Sequence, residues 1–246
     1  MTIPKRPNPQ LYHGWKKPAE ILAAFIPEYS NKRVGILDLD QEARDIYGLE
    51  TSQSMDPRSL ADAKLCSQFV EEVHTRHGLD ASFGGYLEDR GFLWQGTYLG
   101  GTNRALHLGI DFNVCAGCTV VAPFDGVVSV VDDDTPEPFG WGPRVFVERY
   151  EQESNGEKMR FVYIFAHLEA IKVVPGECIK AGQRIGSIGT PPNNGNWYPH
   201  LHLQKVQGSV FDRYLSSDIW KLDGYGDRSE ADILEQEFPY PLSFCE

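Results

Sequence analysis

The sequence predicts a mainly β chain. An antiparallel β-sheet or barrel-like domain runs over about 98–212, after a mixed α/β N-terminal extension (1–97) and before a tail (213–246) with one short helix. Three observations carry that class. From about Tyr98, short β-type runs alternate with Gly, Pro and Asn turns, at the strand spacing of sandwiches and barrels. Within that region RVFVERY (144–150) and MRFVYIFAHL (159–168) flank Asn155-Gly156, the strongest short-range hairpin signal in the chain. Before Tyr98 the clearest pattern is helical instead, with Leu60, Ala63, Phe69, Val70 and Val73 recurring near helical spacing.

Taken in order, residues 1–17 are rich in Pro, Lys and Asn and read as an irregular arm. PAEILAAFI (18–26) reads as a short helix stopped by Pro27. VGILDLD (34–40) has the apolar run of a short strand. The helical pattern that starts near Asp56 ends at Gly78, a plausible C-cap. His74 and His77 sit at that end, where favourable contact with the helix's negative pole explains them without a functional role. VVAPFDGVVSVVDD (120–133) reads as two strands around the turn Phe124–Gly126, and KAGQRIGSIG (180–189) and HLHLQKV (200–206) follow. SEADILEQEF (229–238) reads as one closing helix, with Ser229 and Asp232 resembling a capping box.

The bulk numbers exclude some functions. The chain has 246 residues, 41% hydrophobic and 24% charged, which suits a globular protein with a sizeable core. A net charge of −12 and no Lys/Arg block argue against nucleic acid or an anionic membrane as main partner. The start, MTIPKRPNPQLYHGWKK, has basic residues but no apolar run behind them, so it is not a secretory signal as written. No apolar run approaches the roughly 18 residues of a membrane-spanning helix. Five cysteines, an odd number, fit a reducing compartment better than a disulfide framework. The expected location is the cytoplasm, or the periplasm or exterior had a leader been removed. Oligomeric state leaves no mark in the sequence.

The chemistry concentrates in the β region. In RALHLGIDFNV (104–114), His107 and Asp111 stand four apart around Gly109, a spacing that puts both on one face of a helix or of a strand. Alone they are either a satisfied polar pair or half of a metal site. Four of the seven histidines, His107, His167, His200 and His202, lie in this region. In PHLHLQ, strand alternation sends His200 and His202 to one face and Leu201 and Leu203 to the other. His167 ends the strand-like run FVYIFAH. Zinc accepts imidazole nitrogen and carboxylate oxygen in tetrahedral geometry, and a catalytic site leaves one position open. Two His and one Asp from this set fill that pattern and leave two histidines to move protons.

The order HLGID, VVAPFDGVV, IFAHL, PGECIKAGQRIGSIG, PHLHLQ closely resembles the lysostaphin-type (LytM-like) zinc metallopeptidases, over about 98–206. The resemblance implies a compact antiparallel β fold with an open groove. It implies one zinc ion held by His107, Asp111 and His202, and catalytic, non-ligand roles for His167 and His200. It further implies hydrolysis of an amide bond by metal-activated water, in a peptide or peptidoglycan-type substrate. With no His-Glu-x-x-His motif, a histidine takes the base role that Glu has there. The segment GTPPNNGNWYP (189–199) departs from the family's Gly/Ser/Thr-rich loop; its Trp197 and Tyr198 either line the groove or cover the loop's apolar underside. Cys115 and Cys118 form Cys-x-x-Cys without a thioredoxin-like context, and the preferred reading is two small buried thiols. Two competing functions stand beside the endopeptidase: a zinc hydrolase of a small intracellular peptide or amide, and a non-catalytic binding or regulatory module.

Overall fold

The computed structural model describes residues 17–47, 60, 62–94, 97, 99, 101–133, 140–152, 156–217 and 222–243. The arm before Lys17, the stretch 48–59 and Asn155 lie outside them. Pro18 opens helix α1 (Pro18–Ala23) at a position where its missing N–H costs nothing, and Pro27 stands after its end. VGILDLD divides. Val34–Ile36 forms strand β1, but Asp38 accepts from the Gln41 N–H at 2.8 Å and starts helix α2 (Leu39–Tyr47). Helix α3 (Ala63–His77) is capped by Asp62, whose carboxylate accepts from the Lys64 and Leu65 N–H groups at 3.0 Å each. Gly78, at φ +66°, closes it in the left-handed conformation expected.

The two histidines at that end are held by side chains rather than by the helix pole alone. His77 Nε2 pairs with Glu42 on α2 at 2.8 Å. His74 Nε2 meets Ser82 Oγ at 2.8 Å on strand β2 (Ala81–Gly84), and burial pulls its ring below the ordinary histidine value. The imidazole is therefore neutral at pH 7, so charge–dipole attraction is not what keeps it there.

The strands follow: β3 (Leu106–His107), β4 (Ile110–Asn113), β5 (Thr119–Val121), β6 (Gly126–Asp133), β7 (Pro143–Gln152), β8 (Lys158–Ala166), β9 (Leu168–Glu169), β10 (Cys178–Ile179), β11 (Arg184–Ile188) and β12 (His200–Gln207). Helix α4 (Gly208–Ser217), strand β13 (Tyr225–Gly226) and helix α5 (Ala231–Glu237) complete the chain. The main sheet has eight strands in the order β1-β2-β4-β12-β8-β7-β6-β10, antiparallel except for the parallel pair β1–β2. Strands β5, β11 and β9 form a second sheet, and β13 pairs with β3. The fold is mainly β and antiparallel, but the sheet runs from edge to edge instead of closing as a barrel. The hairpin around Gly156 is present, with Gln152 opposite Lys158. The two strands read in 120–133 exist but do not pair with each other: β5 joins β11, while β6 joins β7 and β10.

Alternation on the central strands sorts side chains between two interiors. Ile110, Phe112, Leu201 and Leu203 face one core, with Phe83 opposite Phe112 and Phe165 opposite Leu203. Phe25, just after α1, packs on Phe112 with ring centroids 4.9 Å apart, so the N-terminal extension shares this core. Each such buried phenyl ring contributes up to about 3 kcal/mol. The other face of β4 and β12 carries Asp111, Asn113, His200 and His202. At the C-terminus, Asp227 rather than Ser229 makes the cap: its carboxylate accepts from the Ser229 N–H at 2.8 Å and from the Ser229 hydroxyl at 2.6 Å. The Ser229 hydroxyl is spent on Asp227, and the N-cap residue of α5 is Glu230, which makes no side-chain capping bond. A 3₁₀ turn, Arg228–Glu230, precedes α5.

Unfolding releases His74 to its ordinary pKa of about 6.5, where it takes up a proton that the folded state resists. Its contribution is full above that pH and is lost as pH falls toward the lowered folded value. The drop in urea midpoint between pH 7.5 and pH 5.5 should therefore be smaller in His74→Gln than in the parent chain. Equal drops would show that His74 does not carry it.

Candidate metal centre

His107 closes β3 and Asp111 lies in β4, with Leu108–Gly109 as the bend between them. A Cβ on Gly109 would stand 2.5 Å from the His202 ring and 2.8 Å from the Leu203 carbonyl, so only glycine lets β12 come this close. The β4–β12 ladder sets His202 directly opposite Asp111 and His200 opposite Asn113. Residues 95 apart in sequence are thereby fixed as neighbours.

Three donor atoms converge. His107 Nε2 lies 3.0 Å from His202 Nδ1 and 3.5 Å from Asp111 Oδ1, and His202 Nδ1 lies 2.9 Å from that same oxygen. The other atom of each side chain is bonded outward. His107 Nδ1 faces the Gly85 carbonyl at 2.9 Å, His202 Nε2 faces Gln204 Oε1 at 3.0 Å, and Asp111 Oδ2 accepts from Arg90 Nη1 at 2.5 Å. Those partners are acceptors for the two imidazoles, so the outward ring nitrogens carry the protons and the inward ones carry lone pairs. Burial, together with the Arg90 charge, holds His107 well below the usual histidine range. Burial alone would raise the Asp111 carboxyl, but the Arg90 charge on its Oδ2 holds it well below the usual carboxylate range. Three acceptors facing one another are an arrangement that a bound cation would satisfy. Ligands bound tetrahedrally to zinc lie roughly 3.3 Å apart, and the three separations bracket that value. The donor set fits, and His107, Asp111 and His202 form the one such group of metal-ligating side chains among the described residues.

His200 and His167 stand beside this group. His200 Nδ1 donates to the Tyr198 carbonyl at 2.6 Å, which leaves Nε2 as a lone pair 3.9 Å from Asp111 Oδ1. Burial pushes its ring down to about 4, so it is neutral at pH 7. His167 follows β8 at the corner where the chain leaves the main sheet for β9, and its φ is +62°. Two backbone bonds hold that strained turn, His167 N–H to the Trp141 carbonyl and Gly189 N–H to the His167 carbonyl, each 2.9 Å. The His167 ring packs on His200 with centroids 4.2 Å apart, and its Nδ1 is buried without a hydrogen-bond partner. All five histidine and aspartate positions singled out in the sequence are thus brought together.

Sequence reasoning missed what encloses them. His107, Asp111, His200 and His202 are only 1–4% exposed, so they do not line an open groove. Tyr225 packs on His107 at 5.3 Å and Trp141 packs edge-on to His202 at 5.0 Å. The Tyr225 hydroxyl accepts from Trp94 Nε1 at 2.7 Å. Trp197 and Tyr198 are buried against α3 and Trp94, which settles them as cover for the loop's underside. Arg90, 2% exposed, was also missed. The usable signal was the charged run Glu88-Asp89-Arg90 inside the apolar stretch GYLEDRGFLW, since buried charges are rare unless paired. Cys115 is exposed and Cys118 half-buried around the turn Ala116–Gly117, which corrects the expectation of two buried thiols.

A mainly β sheet with this donor triad and two further imidazoles is the arrangement expected of a LytM-type metallopeptidase domain. Residues 105–212 match the model of peptidase family M23. The chain is 35% identical over 99 residues to an uncharacterized metalloprotease of Haemophilus influenzae, a match covering 40% of this chain and 18% of that protein. It is 28% identical over 166 residues to the glycyl-glycine endopeptidase ALE-1 of Staphylococcus capitis, covering 66% of this chain and 41% of that one. The chain therefore spans less than half the length of either curated relative. Among solved structures, a zinc containing peptidase from Vibrio cholerae is 27% identical over 41% of this chain and 27% of its own, with a TM-score of 0.33. No helix among the described residues is long and apolar enough to cross a membrane.

The close approach at Gly109 gives a direct test. Gly109→Ala should push the His202 ring off its position and lower metal affinity by tenfold or more, measured by competition with a chelating indicator. Unchanged affinity would show that β12 can yield at this point.

Proposed function

We propose that this protein is a zinc-dependent metalloendopeptidase that hydrolyses an amide bond, with peptidoglycan-type peptides as its substrate class. The observation that carries the reading is the convergence of His107 Nε2, Asp111 Oδ1 and His202 Nδ1 beside two neutral imidazoles that are not needed as ligands. Bound there, zinc supplies a Lewis acid that polarises the scissile carbonyl and makes water acidic enough to react near neutral pH. The remaining work falls to the chain. His200 Nε2, a lone pair facing the donor group, would take up the proton from the attacking water and pass it to the departing amine. His167 Nδ1, buried and unpartnered, hydrogen-bonds the carbonyl oxygen as charge develops, or the departing amine. The peptidoglycan assignment draws on the ALE-1 relative, a glycyl-glycine endopeptidase, and on the resemblance to lysostaphin-type peptidases.

The enclosure favours a second reading of the substrate. With the donors 1–4% exposed behind Tyr225 and Trp141, a short peptide or other small amide enters more readily than a cross-linked polymer.

Metal analysis of the purified chain should return one zinc per molecule, and no binding after zinc addition would sink both readings. His202→Ala should lose the metal. His167→Ala should keep it and lose about 10²–10⁴-fold in turnover; full activity in that variant would remove His167 from the reaction. Digests of purified muropeptides, run beside a panel of short free peptides, separate the polymer substrate from the small one.

A further inference from the structure

Residues Gly85 to Arg90 lie outside the stretch 105–212 that matches the metallopeptidase family, yet they touch two of the three donor residues. The segment is laced to β3 by the Leu87 N–H on the His107 carbonyl at 2.8 Å, the His107 N–H on the Glu88 carbonyl at 2.9 Å, and the Arg90 N–H on the Ala105 carbonyl at 2.9 Å. We propose that this segment is a working part of the metal centre, with Arg90 the positioning residue that fixes Asp111 and so sets metal affinity. The inference rests on the metal centre proposed above and assigns it a component from the N-terminal extension.

The geometry is specific. Arg90 Nη1 donates to Asp111 Oδ2 at 2.5 Å, and Nε donates to Glu88 Oε2 at 2.9 Å. Glu88 Oε1 in turn accepts from the Asp40 N–H on α2 at 2.7 Å. The Asp40 carboxylate accepts from the Phe92 and Leu93 N–H groups at 3.0 and 2.7 Å, which pins the far side of the same segment. The guanidinium is therefore clamped at both ends, and its planar fork leaves Asp111 one way to point Oδ1 at the imidazoles. Gly85 completes the clamp. Its carbonyl takes the His107 Nδ1 proton, its φ is +98°, and a Cβ there would stand 2.2 Å from Arg90 Nη2 and 3.0 Å from His107 Nδ1. No side chain fits between the residue that orients one ligand and the ring of another.

Arg90 does not touch the reacting atoms; it acts through Asp111. Its own charge repels a cation, so the measured effect is the net of that relief and the lost anchoring. Losing an outer partner of a metal ligand typically costs about 10–100-fold in affinity. Removing the guanidinium would also leave two buried carboxylates without their shared counter-charge.

The test uses the full chain, stripped with a chelator and titrated with zinc against a competing indicator. Cobalt(II) absorption reports the coordination, and thermal unfolding in chelator reports the fold alone. Arg90→Met should bind zinc about 10–100-fold more weakly. Arg90→Lys, which keeps the charge but not the fork, should fall between the two and alter the cobalt spectrum. Wild-type zinc binding with both variants as tight as wild type overturns the role of Arg90 and leaves the metal centre standing. The same holds if Arg90→Met lowers only the unfolding temperature in chelator. Should Arg90→Met not fold, Arg90→Lys decides alone: wild-type affinity with a wild-type cobalt spectrum overturns the proposal. A wild-type chain that binds no zinc overturns the metal centre and this inference with it.

Discussion

Three hydrogen-bond acceptors face one another with no proton between them, and the rest of the site is arranged around that. The inward lone pairs of His107 and His202 exist because each ring's other nitrogen is bonded to a fixed acceptor, the Gly85 carbonyl and Gln204 Oε1. Asp111 Oδ1 is turned inward because Arg90 holds Oδ2. Such a cluster, with separations of 2.9–3.5 Å in a buried setting, is electrostatically unfavourable until a cation enters. The fold supplies what holds it together. Core packing on the opposite face of β4 and β12 keeps the ladder from relaxing, because a one-residue slip would turn Phe112 and Leu201 out of the core along with the donor side chains.

Strands suit this task better than loops. Metal sites need placement within about 0.5 Å, which regular elements in the middle of a sheet provide. Strand β12 has β4 on one side and β8 on the other, and all its residues from His200 to Val206 are buried. His167 is the exception, placed at a corner instead of within a strand. Its positive φ carries a cost of about 1–3 kcal/mol, tolerated because two backbone bonds fix the turn. The strain aims the imidazole at the ring of His200, where a regular continuation of β8 would have turned it with the ladder.

What could be read from the sequence follows from range. HLGID and PHLHLQ are local patterns whose period and spacing place side chains on one face before any tertiary fact is known. The hairpin at Gly156 and the cap at Gly78 are equally local. Helices α2 and α4 were missed for local reasons too. LDQEARDIY has few apolar residues to mark a period, and GSVFDRYLSS opens with glycine and ends in two serines. The pairing of Arg90 with Asp111 was unreadable because nothing periodic links residues 21 apart across an irregular segment. The closing of the site by Tyr225 and Trp141 depends on where β13 and the start of β7 end up, which only the assembled sheets determine.

The N-terminal extension is therefore hard to separate from the matched domain. Strand β2 lies on β4, with Ser82 opposite Asn113 and Gly84 opposite Asp111. Without it, the strand carrying Asp111 would become a sheet edge with unpaired backbone groups, prone to slip or to pair elsewhere. The same removal would take away the Gly85 carbonyl and the Arg90 guanidinium, leaving His107 free to change tautomer and Asp111 free to rotate. A metal ligand whose outer atom is unheld no longer presents one fixed donor, so on the proposed reading the extension would contribute to a site whose donor residues all lie beyond it in the chain.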